Sequence, residues 1–141
     1  MFRLLILSSI IFLFSCSERS VSSNKPTSIA DLSKALLEQP NDTALLIERR
    51  NRFINSGELE KAIIDQQQLF AIDTSNLNYR YDLADLYFEL YPSNPIYISK
   101  SLALISDNYT VFPPMLLLRS KLYYVLQNYS QSLKDINTYL P

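Results

Sequence analysis

Histidine and tryptophan are absent from this chain of 141 residues, and cysteine and glycine occur once each, as Cys16 and Gly57. Each absence closes a class of chemistry. Without histidine and with a single thiol, zinc and iron lack an ordinary ligand set. Neither a Ser–His–Asp nor a Cys–His device can be assembled. One glycine cannot make the GxGxxG or GxxxxGK loops that cradle phosphates. An all-carboxylate site remains conceivable, and the chain is expected to be neither an enzyme nor a carrier of a metal or organic cofactor. Charge of one sign is not in excess either: 13 basic residues against 14 acidic ones give no electrostatic reason to expect nucleic acid. What is present is apolar material, 48% of the chain, enough for the core of one domain.

Much of that material is gathered at the start. Residues 1–15 read MFRLLILSSIIFLFS, with Arg3 as a positive flank to an apolar run. The run falls short of the roughly 20 residues a membrane-spanning helix needs, but it suits the apolar core of a secretory signal. Leu13-Phe14-Ser15-Cys16 then resembles a bacterial lipobox: an aliphatic residue, a loosely specified one, a small one, and cysteine. The resemblance implies a lipoprotein whose signal is cut after Ser15 and whose Cys16 thiol takes a diacylglycerol, with palmitate-type acylation anchoring it to the bilayer. A thiol is required because the thiolate is the nucleophile that accepts the lipid. Ser17 after the cysteine, by likeness to enteric lipoproteins, implies the outer membrane; Glu18 is a faint echo of acidic surface-export signals. Residues 16–27 continue as CSERSVSSNKPT, polar and serine-rich, and read as a flexible tether. Its length after the cysteine reaches at most roughly 36–40 Å when extended.

The remainder repeats itself. TALLIERRNRFINSGELEKAIIDQQQLF (residues 43–70) aligns without a gap to PPMLLLRSKLYYVLQNYSQSLKDINTYL (residues 113–140). Leu46 matches Leu116, Arg49 matches Arg119 and Asp65 matches Asp135; Ile63/Leu133, Leu59/Tyr129 and Phe70/Leu140 agree in character. A middle unit starting near residue 77 supplies Leu83, Ala84 and Tyr87 where the first has Arg49, Arg50 and Phe53. Capping residues precede the helical periods at Asp42 and Asn76, and proline stands at first helical positions at Pro95 and Pro113. Helices are expected over 28–38, 43–55, 58–71, 77–90, 95–107, 113–126 and 130–140, with no sustained strand alternation.

This pattern resembles the tetratricopeptide repeat, a helix–turn–helix unit of about 34 residues. It rests on Leu46, Phe53, Gly57, Leu59, Ala62 and Ile63 in the first unit and on Leu116, Tyr123, Tyr129, Ser132 and Leu133 in the third. The second unit departs from it, with no small residue at its helix crossing and an extended turn, YPSNP. The resemblance implies an all-α, right-handed helix–turn–helix solenoid of about three repeats over residues 28–141. It also implies a concave groove lined by the first helices, on which Ile47, Asn51, Asn55, Tyr81, Asp85, Phe88, Lys121 and Tyr124 fall. Lys134 falls on an outer helix.

Arg49 with Asp65 and Arg119 with Asp135 recur at the same spacing in both units, as structural pairs bridging the two helices of a hairpin do. Asp82 and Asp85, with Arg80 nearby, read as a solvated helix face. The expected function is non-catalytic binding of an envelope protein or peptide by a membrane-anchored scaffold; the alternative is a glycan- or nutrient-binding outer-membrane lipoprotein that stacks sugars on its aromatics. The apolar edge formed by Leu133, Ile136, Tyr139 and Leu140 is expected to pair with a second copy, to take a partner, or to belong to a longer repeat array.

Overall fold

The structure, a computed structural model, describes residues 28–105 and 112–140. The expected signal and tether, the last residues of the fifth expected helix and Pro141 lie outside the described residues. Seven α-helices follow in order: α1 (Ile29–Glu38), α2 (Thr43–Asn55), α3 (Leu59–Ile72), α4 (Leu77–Leu90), α5 (Ile96–Ile105), α6 (Pro113–Val125) and α7 (Tyr129–Tyr139). Among the described residues there is no strand, and no helix is long and apolar enough to cross a membrane. Helices α2–α3, α4–α5 and α6–α7 are three hairpins, and α1 packs ahead of the first.

The helix starts are chemical. Ser28 and Asp31 satisfy each other's backbone N–H groups in a capping box. Asp42 accepts from the N–H groups of Ala44 and Leu45, and Asn76 from those of Asn78 and Tyr79. Asn94 accepts from Ile96, and proline opens α6, where a missing N–H costs nothing. Boundaries differ from the sequence expectation by a residue or so, as fraying ends do.

The turns of the outer hairpins are built alike. The Glu58 N–H reaches back to the Phe53 carbonyl and the Asn128 N–H to the Tyr123 carbonyl, each at 2.8 Å. Both turns need one residue at positive φ. Gly57 supplies it at +77°, and Gln127 takes it at 61°. Glycine meets no steric penalty there, whereas glutamine does.

Three apolar clusters run through the stack. Leu36, Leu46 and Leu69 join α1 to the first hairpin. Phe53, Ala62 and Ile63 pack with Leu83, Leu86, Tyr87 and Leu90 and join the first hairpin to the second. Ala84, Ile98 and Ile105 pack with Met115, Leu118 and Leu122 and join the second to the third. The second hairpin does have a small residue at its crossing, contrary to the sequence expectation. Ser101, fully buried, donates its hydroxyl to the Ala84 carbonyl at 2.7 Å. The YPSNP turn shifts α5 along the chain, so this serine lies beyond the position that the repeat register assigns to the crossing.

Buried charge fixes the outer hairpins. Arg49 donates from Nε and Nη2 to both oxygens of Asp65, at 2.9 and 2.5 Å, and from Nη1 to Ser33 Oγ on α1 at 3.1 Å. Arg119 grips Asp135 the same way, at 2.7 Å through each nitrogen. Both carboxylates are 1% exposed.

The ion pairs and the turns can each be tested by substitution. Asp135→Ala strands the Arg119 charge and lowers unfolding free energy by about 3–5 kcal/mol in urea titrations, while Glu60→Ala on the open face of α3 changes it by less than about 0.5 kcal/mol. Gly57→Ala destabilises by about 1 kcal/mol and Gln127→Gly stabilises by about 0.5–1 kcal/mol, since nothing lies within 4 Å of a Cβ at Gly57 and only backbone conformation is at stake. Equal and small effects at both turns would refute the backbone argument.

Candidate functional site

Among the first helices of the hairpins, α4 packs directly on α6, while α2 reaches α4 through side chains. Arg50 makes the α2–α4 joint: its Nη1 donates to Gln66 Oε1 at 2.5 Å and to Asp82 Oδ2 at 2.9 Å. Gln66, fully buried on α3, in turn donates to the Tyr79 carbonyl on α4 at 2.7 Å. The α4–α6 joint is apolar, with Ala84, Tyr81 and Phe88 against the Met115–Leu122 face of α6.

The groove residues expected from the sequence fall into different places on this surface. Asn51 is exposed and accepts from Nε and Nη2 of Arg50. Asn55 sits on an open recess at the α1 end, with Ile29 and Arg52. Ile47 packs into the cluster beneath α1. Asp85 lines a central hollow of about 330 Å³ between α2 and α4. Phe88, Lys121 and Tyr124 line a third hollow, of about 300 Å³, toward the last hairpin. Tyr81 leans on Phe112 at the start of α6, ring centroids 5.7 Å apart, so part of its surface is spent on packing.

The central hollow is the most mixed in character. Its walls include the apolar side chains of Ile54, Leu59 and Leu86, and its rim carries Arg50, Asp82, Asp85 and Glu89. Sequence reasoning missed Arg50, Ile54, Leu59, Leu86 and Glu89 here. The available signal was the repeat register itself, which aligns Arg50 and Ile54 with Ser120 and Tyr124. Asp82 is not only solvated helix face: it is 38% exposed and holds Arg50 across the inter-repeat joint.

Burial pushes the Asp85 carboxyl above its ordinary 3.8; Glu89 pushes the same way, Lys121 on α6 opposes it, and Asp82 adds to it. Burial also raises the Tyr81 phenol, helped by the Asp85 and Asp82 charges. Among the described residues, no cluster of three or more His, Cys, Asp or Glu side chains is arranged to hold a metal ion. Tyr81 and Tyr124 on this face are tilted against neighbouring rings, whereas Phe88 stacks on Tyr91 at 27°. Tyr124, 65% exposed, meets Tyr129 at 63° between ring planes, and Tyr81 meets Phe112 at 60°.

The architecture is a tetratricopeptide-like helical-repeat fold. Among solved structures the chain is similar to a thermophilic TPR protein of Thermus thermophilus, with TM-score 0.62 and 21% identity over 79% of this chain and 62% of that one. The chain thus spans about 62% of the length of that protein, and the likeness is one of fold. No family model matches the chain, and no curated protein matches it.

The raised Asp85 carboxyl makes a signed prediction. The folded state holds its proton more tightly than the unfolded chain does, so this group costs stability as pH rises from 3.8 through the raised value. Asp85→Asn therefore melts above the parent at pH 7, and the gap closes as pH falls to 3.8 and below. Thermal melts followed by circular dichroism across pH measure it; a variant that melts with the parent at pH 7 refutes the burial argument.

Proposed function

We propose that this chain is a lipid-anchored, non-catalytic docking scaffold of the bacterial envelope. It is tethered to the outer membrane through acylated Cys16 and holds an extended or helical segment of an envelope protein against α2, α4 and α6. The observation that carries the docking is the alignment of these three helices. Arg50–Asp82 joins the first two, and the Ala84–Leu118 cluster joins the second and third. Together they present apolar hollows bordered by charges of both signs and by an open tyrosine. Such a surface suits a peptide, because apolar side chains fill the hollows while amides and charges fix register. The anchor rests on the lipobox-like Leu13–Cys16, and the address on Ser17.

The peptide is favoured over a glycan because tilted rings give no flat platform on this face. Tyr124 and Tyr81 each stand at a steep angle to a neighbouring ring rather than coplanar with it. Self-association through α7, taken up below, shares Tyr124 and the third hollow with this docking.

Two measurements test this reading. Cells fed labelled palmitate should label the parent and not Cys16→Ser; label retained by the variant overturns the anchor. Cross-linking through Lys121 should trap an envelope protein, and Tyr124→Ala should weaken that capture by at least about tenfold, as loss of a tyrosine hot spot does. Lys134→Ala, on the outer helix, should leave capture unchanged. Capture indifferent to Tyr124→Ala but lost with Lys134→Ala would place docking on the other face.

A further inference from the structure

Helix α4 occupies a trough formed by α2 and α3. Ile63, 6% exposed, is covered there by α4 side chains, and Arg50 and Gln66 hook onto Asp82 and the Tyr79 carbonyl. The last hairpin forms the same trough from its aligned residues, with Leu133 for Ile63, Ser120 for Arg50 and Ile136 for Gln66. Among the described residues no helix covers it. Leu133 is 59% exposed, and a mainly apolar hollow of about 300 Å³ opens beside it, walled by α6 and α7 with Phe88 of α4 and Lys121 at its edge. Both polar hooks are gone. The Ser120 hydroxyl is already spent on the Leu117 carbonyl, and isoleucine replaces the glutamine. An occupant of this trough therefore presents a helix face that needs no carboxylate toward the trough, unlike α4 with its Asp82.

Helix α7 itself carries such a face. Tyr129, Leu133, Ile136 and Leu140 stand at alternating spacings of four and three, the pattern of a two-helix seam. Its charged residues lie off this stripe. Asp135 is bound to Arg119, and Lys134 projects from the far side. We infer that the occupant is a second copy of this chain, with α7 of each copy lying antiparallel in the α6–α7 trough of the other around a two-fold axis. In that arrangement Leu133 of one copy meets Ile136 of the other, and Tyr129 meets Leu140. The contact is self-complementary, as a two-fold interface requires. With Tyr124, Tyr129, Leu133, Leu140 and Leu117 each contributing on the order of 100 Å², the pair covers roughly 1,000–1,200 Å², the lower bound for a specific interface. This interface is separate from the central hollow but shares Tyr124 and the third hollow with the docking proposed above, so a second copy and a docked peptide compete there; self-association itself rests on the α7 stripe.

The test is photo-cross-linking in cells that produce the full chain. Leu133→benzoylphenylalanine should give an adduct at twice the chain's mass, while Lys134→benzoylphenylalanine should not. Adding Tyr129→Glu to the Leu133 probe should abolish that adduct without changing the helical circular dichroism of the purified chain. Leu133 and Tyr129 are both more than half exposed, so neither change disturbs the core; a probe at Tyr129 gives an independent second reading. An adduct of foreign mass, one that stays at the single-chain mass, or none from either probe overturns the inference.

Discussion

A buried arginine cannot be left alone, and this requirement organises the molecule. Removing a guanidinium from water costs several kcal/mol unless a fixed partner meets it. Arg49 and Arg119 answer it within their hairpins, each gripping a carboxylate that is 1% exposed. The bidentate geometry admits one register of the first helix on the second and no other. Where the charge pair is absent, in the middle hairpin, Leu83 occupies the arginine's place and packs in the cluster that includes Leu104 at its margin. Apolar packing can replace a buried ion pair at little cost in stability. What the charged pairs add at the two ends is definition of alignment.

From that fixed register the stacking follows. Arg49 has a third contact, to Ser33 on α1, and its chain neighbour Arg50 reaches the other way, to Asp82 on α4. The partners Asp65 and Gln66 are also neighbours on α3, so two adjacent pairs tie four helices together. A single hairpin of this size buries too little to stand alone, and repeat arrays depend on such nearest-neighbour joints. The candidate site inherits its shape from them. The central hollow exists because Arg50 sets the approach of α4 to α2, and Asp85 sits in it with a raised carboxyl because α4 is held there.

The hairpins were legible in the sequence because their determinants are local. Asp42, Asn76 and Pro113 mark helix starts by hydrogen-bonding chemistry that acts over two or three residues. The recurrence of arginine and aspartate at one spacing marks the hairpin register. The composition of the hollows was not legible, since it depends on how one hairpin leans on the next. Asn51, Asn55, Asp85 and Tyr124 share a groove when mapped by repeat position, yet Asn55, Asp85 and Tyr124 border three separate concavities and Asn51 is held by Arg50. Tyr81 carries no local sign that Phe112, far along the chain, takes part of its ring. Ser101 was hidden because a turn of unusual length displaced it, and Gln127 because its strained backbone is imposed by the turn rather than encoded by the residue.

The joints also differ in kind along the stack. Between the first and second hairpins the contact contains polar hooks, Arg50 to Asp82 and Gln66 to the Tyr79 carbonyl. Between the second and third it is hydrocarbon, apart from the Ser101 hydroxyl inside the second hairpin. At the open trough beyond α6 and α7 it is hydrocarbon again. Hydrogen-bonded joints are directional and reject a partner that leaves a hook unsatisfied. Apolar ones reward area and shape and tolerate small rotations. The joint where α1 to α4 meet is therefore directional. The exposed stripe of Tyr129, Leu133 and Leu140 carries no such hook, so shape and apolar area govern what it accepts.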